Sequence, residues 1–152
     1  MSIEMMNYIR DIWWAFVLGM GSFMDIKKKS LPKTFMVMIC SVSGLLMLLG
    51  YLLSLNSINL MQAGVGAVIG VVVMAASFFS DGCIGMADAV LVFLTGLLFG
   101  YMGSIEMTMY AIFFAAIVSI ILISLGKADR KSHIPFIPFM LLGYVLYSLR
   151  NI

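Results

Sequence analysis

The stretch "FMDIKKKSLPKTF", residues 23–35, lies at the seam between two apolar runs. Its three consecutive lysines are what the water-facing end of a membrane segment carries. The aspartate before them, Asp25, is less expected, because it falls where the chain is still leaving lipid. Downstream, residues 34–80 contain no charged side chain. That length is more than twice the roughly 20 apolar residues needed to cross a bilayer. Over the whole chain of 152 residues, 63% are hydrophobic and 11% charged, too few polar groups to cover a soluble domain of this size. The chain therefore reads as an all-α, polytopic membrane bundle.

Apolar runs between polar breaks give six segments, about Ile12 to Met24, Thr34 to Leu55, Leu60 to Phe79, Ala87 to Gly103, Met107 to Leu125 and Pro135 to Leu149. No long linker, repeat or low-complexity tract separates them, so residues 1–152 are expected to form one membrane-embedded domain. A cleavable signal peptide is not expected, because Glu4, Arg10 and Asp11 precede the first run and no small-residue cleavage site follows it. Basic residues set the orientation. Lys27, Lys28, Lys29 and Lys33 fall between segments one and two, and Lys127, Arg130 and Lys131 between five and six. The positive-inside rule places both loops in the cytoplasm, with the N-terminus and C-terminus outside. The loop holding Asp81 shares the cytoplasmic side. The net charge of +2 gives no sign of a nucleic-acid surface.

On this topology Asp25 ends the first segment and Asp88 begins the fourth, both at the cytoplasmic depth. Ionisable residues bordering a membrane segment are costly and mark candidate sites. Two readings remain open on physical grounds. An aspartate at a helix start caps it and meets a favourable dipole, which suits Asp88 and Asp81. Asp25, at a helix end, faces the wrong pole, although the neighbouring lysines offer ion pairs. In the other reading the two carboxylates work together. Close carboxylates do not both ionise easily, so one holds a proton near neutral pH. The ionised member then draws a proton from water while the protonated one donates to a peptide carbonyl.

Three stretches resemble the type IV prepilin peptidase family, relatives of the GxGD membrane aspartic proteases. "DIKKKSLPK", Asp25 to Lys33, resembles a first motif of an aspartate, a basic run, an aliphatic residue and a proline, here Pro32. "GMADAVL", Gly85 to Leu91, resembles a Gly-x-Gly-Asp-x-Lys motif that opens a segment. "IPFIPFMLLG", Ile134 to Gly143, resembles a Pro-Phe-Gly-Pro-Phe segment and supplies Pro135 and Pro138. The resemblance implies that Asp25 and Asp88 are catalytic. It implies an aspartic endopeptidase that removes the leader of prepilins or pseudopilins at the cytoplasmic membrane face. The substrate partner carries an apolar N-terminal helix lying in the lipid bilayer, and no cofactor is implied. The chain departs from the motif at Ala87, where the family has glycine, and at Val90, where it has lysine. A catalytically impaired, prepilin-binding relative is therefore one alternative, and a small ion- or proton-coupled transporter is another. Many bacterial members carry an added methyltransferase domain with paired CxxC motifs. This chain has no CxxC, so it resembles the short form, and no methyltransferase activity is expected.

Other residues have plainer readings. Asp81 competes with Asp88 as the second acid but lies outside the motif. His133, the single histidine, reads as an interface residue. Cys40 and Cys83 read as packing residues rather than a disulfide or metal pair, so no metal site is expected. Pro135 and Pro138 either kink the last segment into a wall beside the site or sit in the first turn of a plain helix. In "GVGAVIG", Gly66 and Gly70 put small residues four apart, suited to close helix contact within the chain or, as a lesser use, to a homodimer. Glu106 reads as an outer interface residue.

Overall fold

The computed structural model describes residues 2–28, 31–55, 58–79, 85–126 and 135–150. Asp81, Cys83 and His133 lie outside these residues. The described chain forms five helices: α1 (Ile3–Lys28), α2 (Lys33–Leu52), α3 (Leu60–Phe79), α4 (Met86–Ser124) and α5 (Ile137–Arg150). Three of them, α2, α3 and α4, are long and apolar enough to cross a membrane. Helix α1 carries Glu4, Arg10 and Asp11 in its first half, and α5 has only 14 residues. At 1.5 Å per residue α5 is about 21 Å long, short of a hydrocarbon core of about 30 Å.

Helix α4 departs from the segment boundaries read in the sequence. Its 39 residues, if straight, would reach about 58 Å, nearly twice the bilayer core. It is broken instead at Gly100, whose φ of 71° and ψ of −177° are not helical. A side chain at that φ is strained, so glycine supplies the bend. The contacts on either side show a reversal. Trp14 and Arg10 of α1 meet Phe99, while Asp25 interacts with Asp88, so residues 86–99 run antiparallel to α1. Helix α5 also runs antiparallel to α1, pairing Ile137 with Asp25 and Tyr144 with Asp11. Residues 101–124 instead run antiparallel to α5, since Gly103 abuts Tyr147 and Met107 abuts Gly143. The break expected between Gly103 and Met107, at the polar residues Ser104 and Glu106, is thus helical. Glu106 is accommodated there by Arg150 of α5, 3.0 Å away.

Within lipid, packing rather than exclusion of water holds helices together, and small residues let backbones approach. The α3–α4 seam is built this way. A Cβ on Gly66 would strike the backbone of Gly96 and Gly100, and one on Gly70 would strike Phe93. The two glycines four residues apart are consumed inside the chain. On α1 the buried stripe is Trp14, Leu18, Gly21 and Asp25, spaced four, three and four apart. This is the face that meets α4 and α5. Helix α2 buries only Phe35, Ile39, Ser43 and Gly50, and Ser43 accepts a hydrogen bond from Trp13 Nε1 at 3.1 Å. At the end of the bundle away from Asp25, Arg10 pairs with Asp11 at 3.0 Å and donates to the carbonyl of Leu98. Tyr144 donates to the carbonyl of Asp11 at 2.9 Å, so α5 is tied to α1 at its start and at its middle.

Candidate functional site

Asp25 closes the buried stripe of α1 and is 6% exposed. As the last member of that stripe it must point into the bundle, since α1 presents the same face throughout. Its own helix offers it carbonyl groups, which repel a carboxylate. The carboxylate instead meets the start of α5, where Oδ2 accepts a hydrogen bond from the Ile137 N–H at 3.3 Å. The amino end of a helix presents unsatisfied N–H groups and a favourable dipole. The apparent misplacement of Asp25 at a helix end is thus resolved by a different helix, 112 residues away. Among the described residues Lys27 makes no ion pair with Asp25: its amine lies 4.4 Å from the centre of the Phe23 ring.

The opening of α4 positions Asp88. Gly85 is the cap, with φ −66° and ψ 131°, and its carbonyl accepts from the N–H groups of Asp88 and Ala89 at 3.0 and 3.2 Å. Asp88, in the first turn and half-buried, folds its carboxylate back to a hydrogen bond with the Gly85 backbone. An acidic side chain reaching back to the cap residue satisfies one orphan donor of the helix start. Gly85 has a φ that any residue adopts. A Cβ there, however, would lie 2.7 Å from Asp88 Oδ2, so the absent side chain makes room for the carboxylate. Asp88 and Asp25 lie within electrostatic range of each other. The ends of α1, α4 and α5 thus bring two carboxylates, and the main-chain N–H that one of them accepts from, to one end of the bundle.

The remaining motif residues take supporting places. Ala87 is helical and half-buried, and its backbone has no positive φ, so the helix accepts alanine there. Val90 packs against the core as an apolar side chain. Pro32 caps α2 in an extended conformation, φ −67° and ψ 141°, and its carbonyl accepts from Phe35 and Met36. Pro138 sits in the first turn of α5 and Pro135 just ahead of it, so the last helix begins plainly rather than as a kinked wall. Cys40 is an exposed free thiol on α2. Among the described residues no group of three or more His, Cys, Asp or Glu side chains gathers where a metal ion could sit. A shallow recess lies at the other end of the bundle, lined by residues including Met6, Arg10, Tyr51 and Leu98.

The family model for the type IV leader peptidase family matches residues 12–122, from within α1 almost to the end of α4. The chain belongs to the type IV leader peptidase family. Both carboxylates fall inside the matched span, whereas Pro135, Ile137 and Pro138 fall beyond it. No curated protein and no solved structure matches this chain. Membership in the leader peptidase family carries a leader-peptidase-like function at the family level, exercised in a membrane. Ile137 is the site residue that sequence reasoning missed. Its contribution is a main-chain N–H, which no side-chain motif records. A clue was present in "IPFIPF", which offers a helix start no polar capping side chain of its own.

Proposed function

We propose that this leader peptidase family member is an aspartic endopeptidase that trims prepilin or pseudopilin-like substrates at the cytoplasmic membrane face. Asp25 and Asp88 form the acid–base pair. The observation that carries the reading is the meeting of these two carboxylates, in electrostatic range, at the ends of two helices far apart in sequence. In the reaction one carboxylate takes a proton from water as its oxygen attacks the scissile carbonyl. The other, protonated, donates to the carbonyl oxygen. Collapse of the tetrahedral species breaks the C–N bond: the amine leaves with a proton returned by the first carboxylate, and a hydroxyl of the diol gives its proton back to the second as the new acid forms.

The topology of the reading follows from charge. With Lys27, Lys28, Lys29 and Lys33 held inside, the Asp25 end faces the cytoplasm. With the two stretches of α4 counted separately, six helical segments alternate in direction, which on this reading puts both termini outside even though α5, at about 21 Å, reaches across only part of the core. The substrate's apolar helix would lie in the bilayer beside the bundle, its cleavage point level with the carboxylates. Pro32, Gly85 and Ala87 shape the approaches from α2 and α4, and Pro135 and Pro138 the start of α5.

Asp25 also invites a structural reading, because it caps α5. Asparagine separates the two. It keeps a carbonyl oxygen that accepts from the Ile137 N–H but exchanges no proton near neutral pH. Purified protein is mixed with candidate prepilins in lipid, and wild type is compared with Asp25→Asn and Asp88→Asn. Each variant is expected to lose cleavage by at least about 100-fold while unfolding at the wild-type temperature. Wild-type rates in either variant would overturn the acid–base pair.

A further inference from the structure

We infer that the main-chain N–H of Ile137 is a positioning group for the reaction, holding the Asp25 carboxylate in its working place and making α5 part of the catalytic apparatus. The inference rests on the peptidase reading above and deepens it.

The start of α5 leaves this one donor available. Pro138 has no N–H. The N–H groups of Phe139 and Met140 are taken by the Phe136 carbonyl at 3.0 and 3.2 Å. Phe136, at the capping position, has no side-chain oxygen to accept from Ile137. The remaining N–H of the turn therefore points outward, and Asp25 Oδ2 receives it. The approach is set by packing. Ile137 is 1% exposed, and its Cγ2 would stand 3.3 Å from a Cβ on Gly21. Gly21 and Asp25 are four residues apart on the same face of α1, so the gap at one seats Ile137 while the other takes its amide. Asp25 thus has one oxygen fixed and keeps Oδ1 for chemistry.

Among the described residues, the ionisable group facing Asp25 across the helix ends is Asp88 of α4. On α1 itself Lys27 lies over Phe23, and Lys33 at the start of α2 is exposed. Helix α3 carries no ionisable side chain, and α5 carries none before Tyr144. Removing the Ile137 N–H leaves the Asp25 carboxylate free to turn, so the reacting oxygen is no longer held in place and turnover falls while substrate binding does not.

The test is Ile137→Pro against Ile137→Ala, in full-length protein in lipid with a prepilin substrate. Both remove the packed side chain, but only proline removes the N–H, and proline suits the first helical position. The expected result is a kcat at least about 10-fold lower in the proline variant than in the alanine variant, at similar KM. Equal kcat in the two variants overturns the inference. Should Ile137→Pro not fold, an ester in place of the Phe136–Ile137 amide removes the same donor and keeps the side chain. A failure of the peptidase reading shows separately, as a wild-type protein that cleaves no prepilin at any pH. In that event the Asp25 carboxyl carbon is followed by carbon-13 NMR at one pH in wild-type and ester proteins. An unmoved resonance overturns the positioning role, and a shifted or broadened one supports it.

Discussion

The α3–α4 seam makes opposite predictions for two alanine substitutions two residues apart. Gly66 and Gly64 share a helix and a chemistry, but a Cβ on Gly64 meets nothing within 4 Å. A Cβ on Gly66 would meet the Gly96 carbonyl oxygen first, with Gly100 C at 2.8 Å and Gly96 C at 2.9 Å. Ordinary contact begins near 3.4 Å, so α3 must withdraw by roughly 0.5–1 Å, a gap that forfeits a quarter to a half of the dispersion energy of each facing atom pair. Backbone cannot rotate out of the way as a side chain can. Overpacking of this kind costs about 1–3 kcal/mol. Alanine at Gly64 has no such cost and relieves the helix of a glycine, a gain of about 0.5–1 kcal/mol. The two variants should therefore differ by about 2 kcal/mol, or roughly 4–8 °C in melting temperature for a chain of this length. The assay is thermal unfolding in one detergent at one scan rate, followed by tryptophan fluorescence and circular dichroism. Gly66→Ala melting at or above Gly64→Ala would refute the reasoning.

Two further substitutions test the site and the bend. Gly85→Ala puts a methyl 2.7 Å from Asp88 Oδ2 and displaces the carboxylate. Cleavage should fall by about 100-fold with melting unchanged, and an unaltered rate would show that Asp88 works from another position. Gly100→Ala forces a side chain into a φ of 71° and should cost about 1–3 kcal/mol, read as a lower melting temperature than that of Gly64→Ala.

Much of this architecture is legible in the sequence because lipid imposes a simple rule on it. An uncharged stretch from 34 to 80 has to be buried in a bilayer, and its polar break near Asn56 divides α2 from α3. Gly66 and Gly70 announce a close contact, since glycines four apart on a membrane helix clear a groove for another backbone. They do not say which helix fills it. The turn within α4 was legible only to within a few residues. Ser104 and Glu106 look like a water-facing break, but Ser104 is buried and Glu106 is paired with Arg150, a partner 44 positions away that no local window contains. The glycine that makes the bend resembles its neighbours Gly96 and Gly103 in sequence, and only its backbone angles set it apart.

The carboxylates divide in the same way. Asp88 is readable from its surroundings, because an acid in the first turn of a helix, three residues after the glycine that caps it, is explained by local rules. Asp25 is legible as an anomaly and not as an answer. The dipole argument identifies a charge at the wrong pole, but its partner is an amide on a helix more than a hundred positions downstream. The two prolines of "IPFIPF" gave equal support to a kinked wall and to a plain start. The outcome depended on which N–H groups find acceptors, and that is settled by tertiary contact.

The one-residue corner at Gly100 also limits how the protein can be handled. A connection with no slack offers a soluble protease nothing to cut and an inserted epitope nowhere to sit without severing helix. Residues 96 to 103 should therefore stay intact in shaved membranes, and tags should be grafted elsewhere.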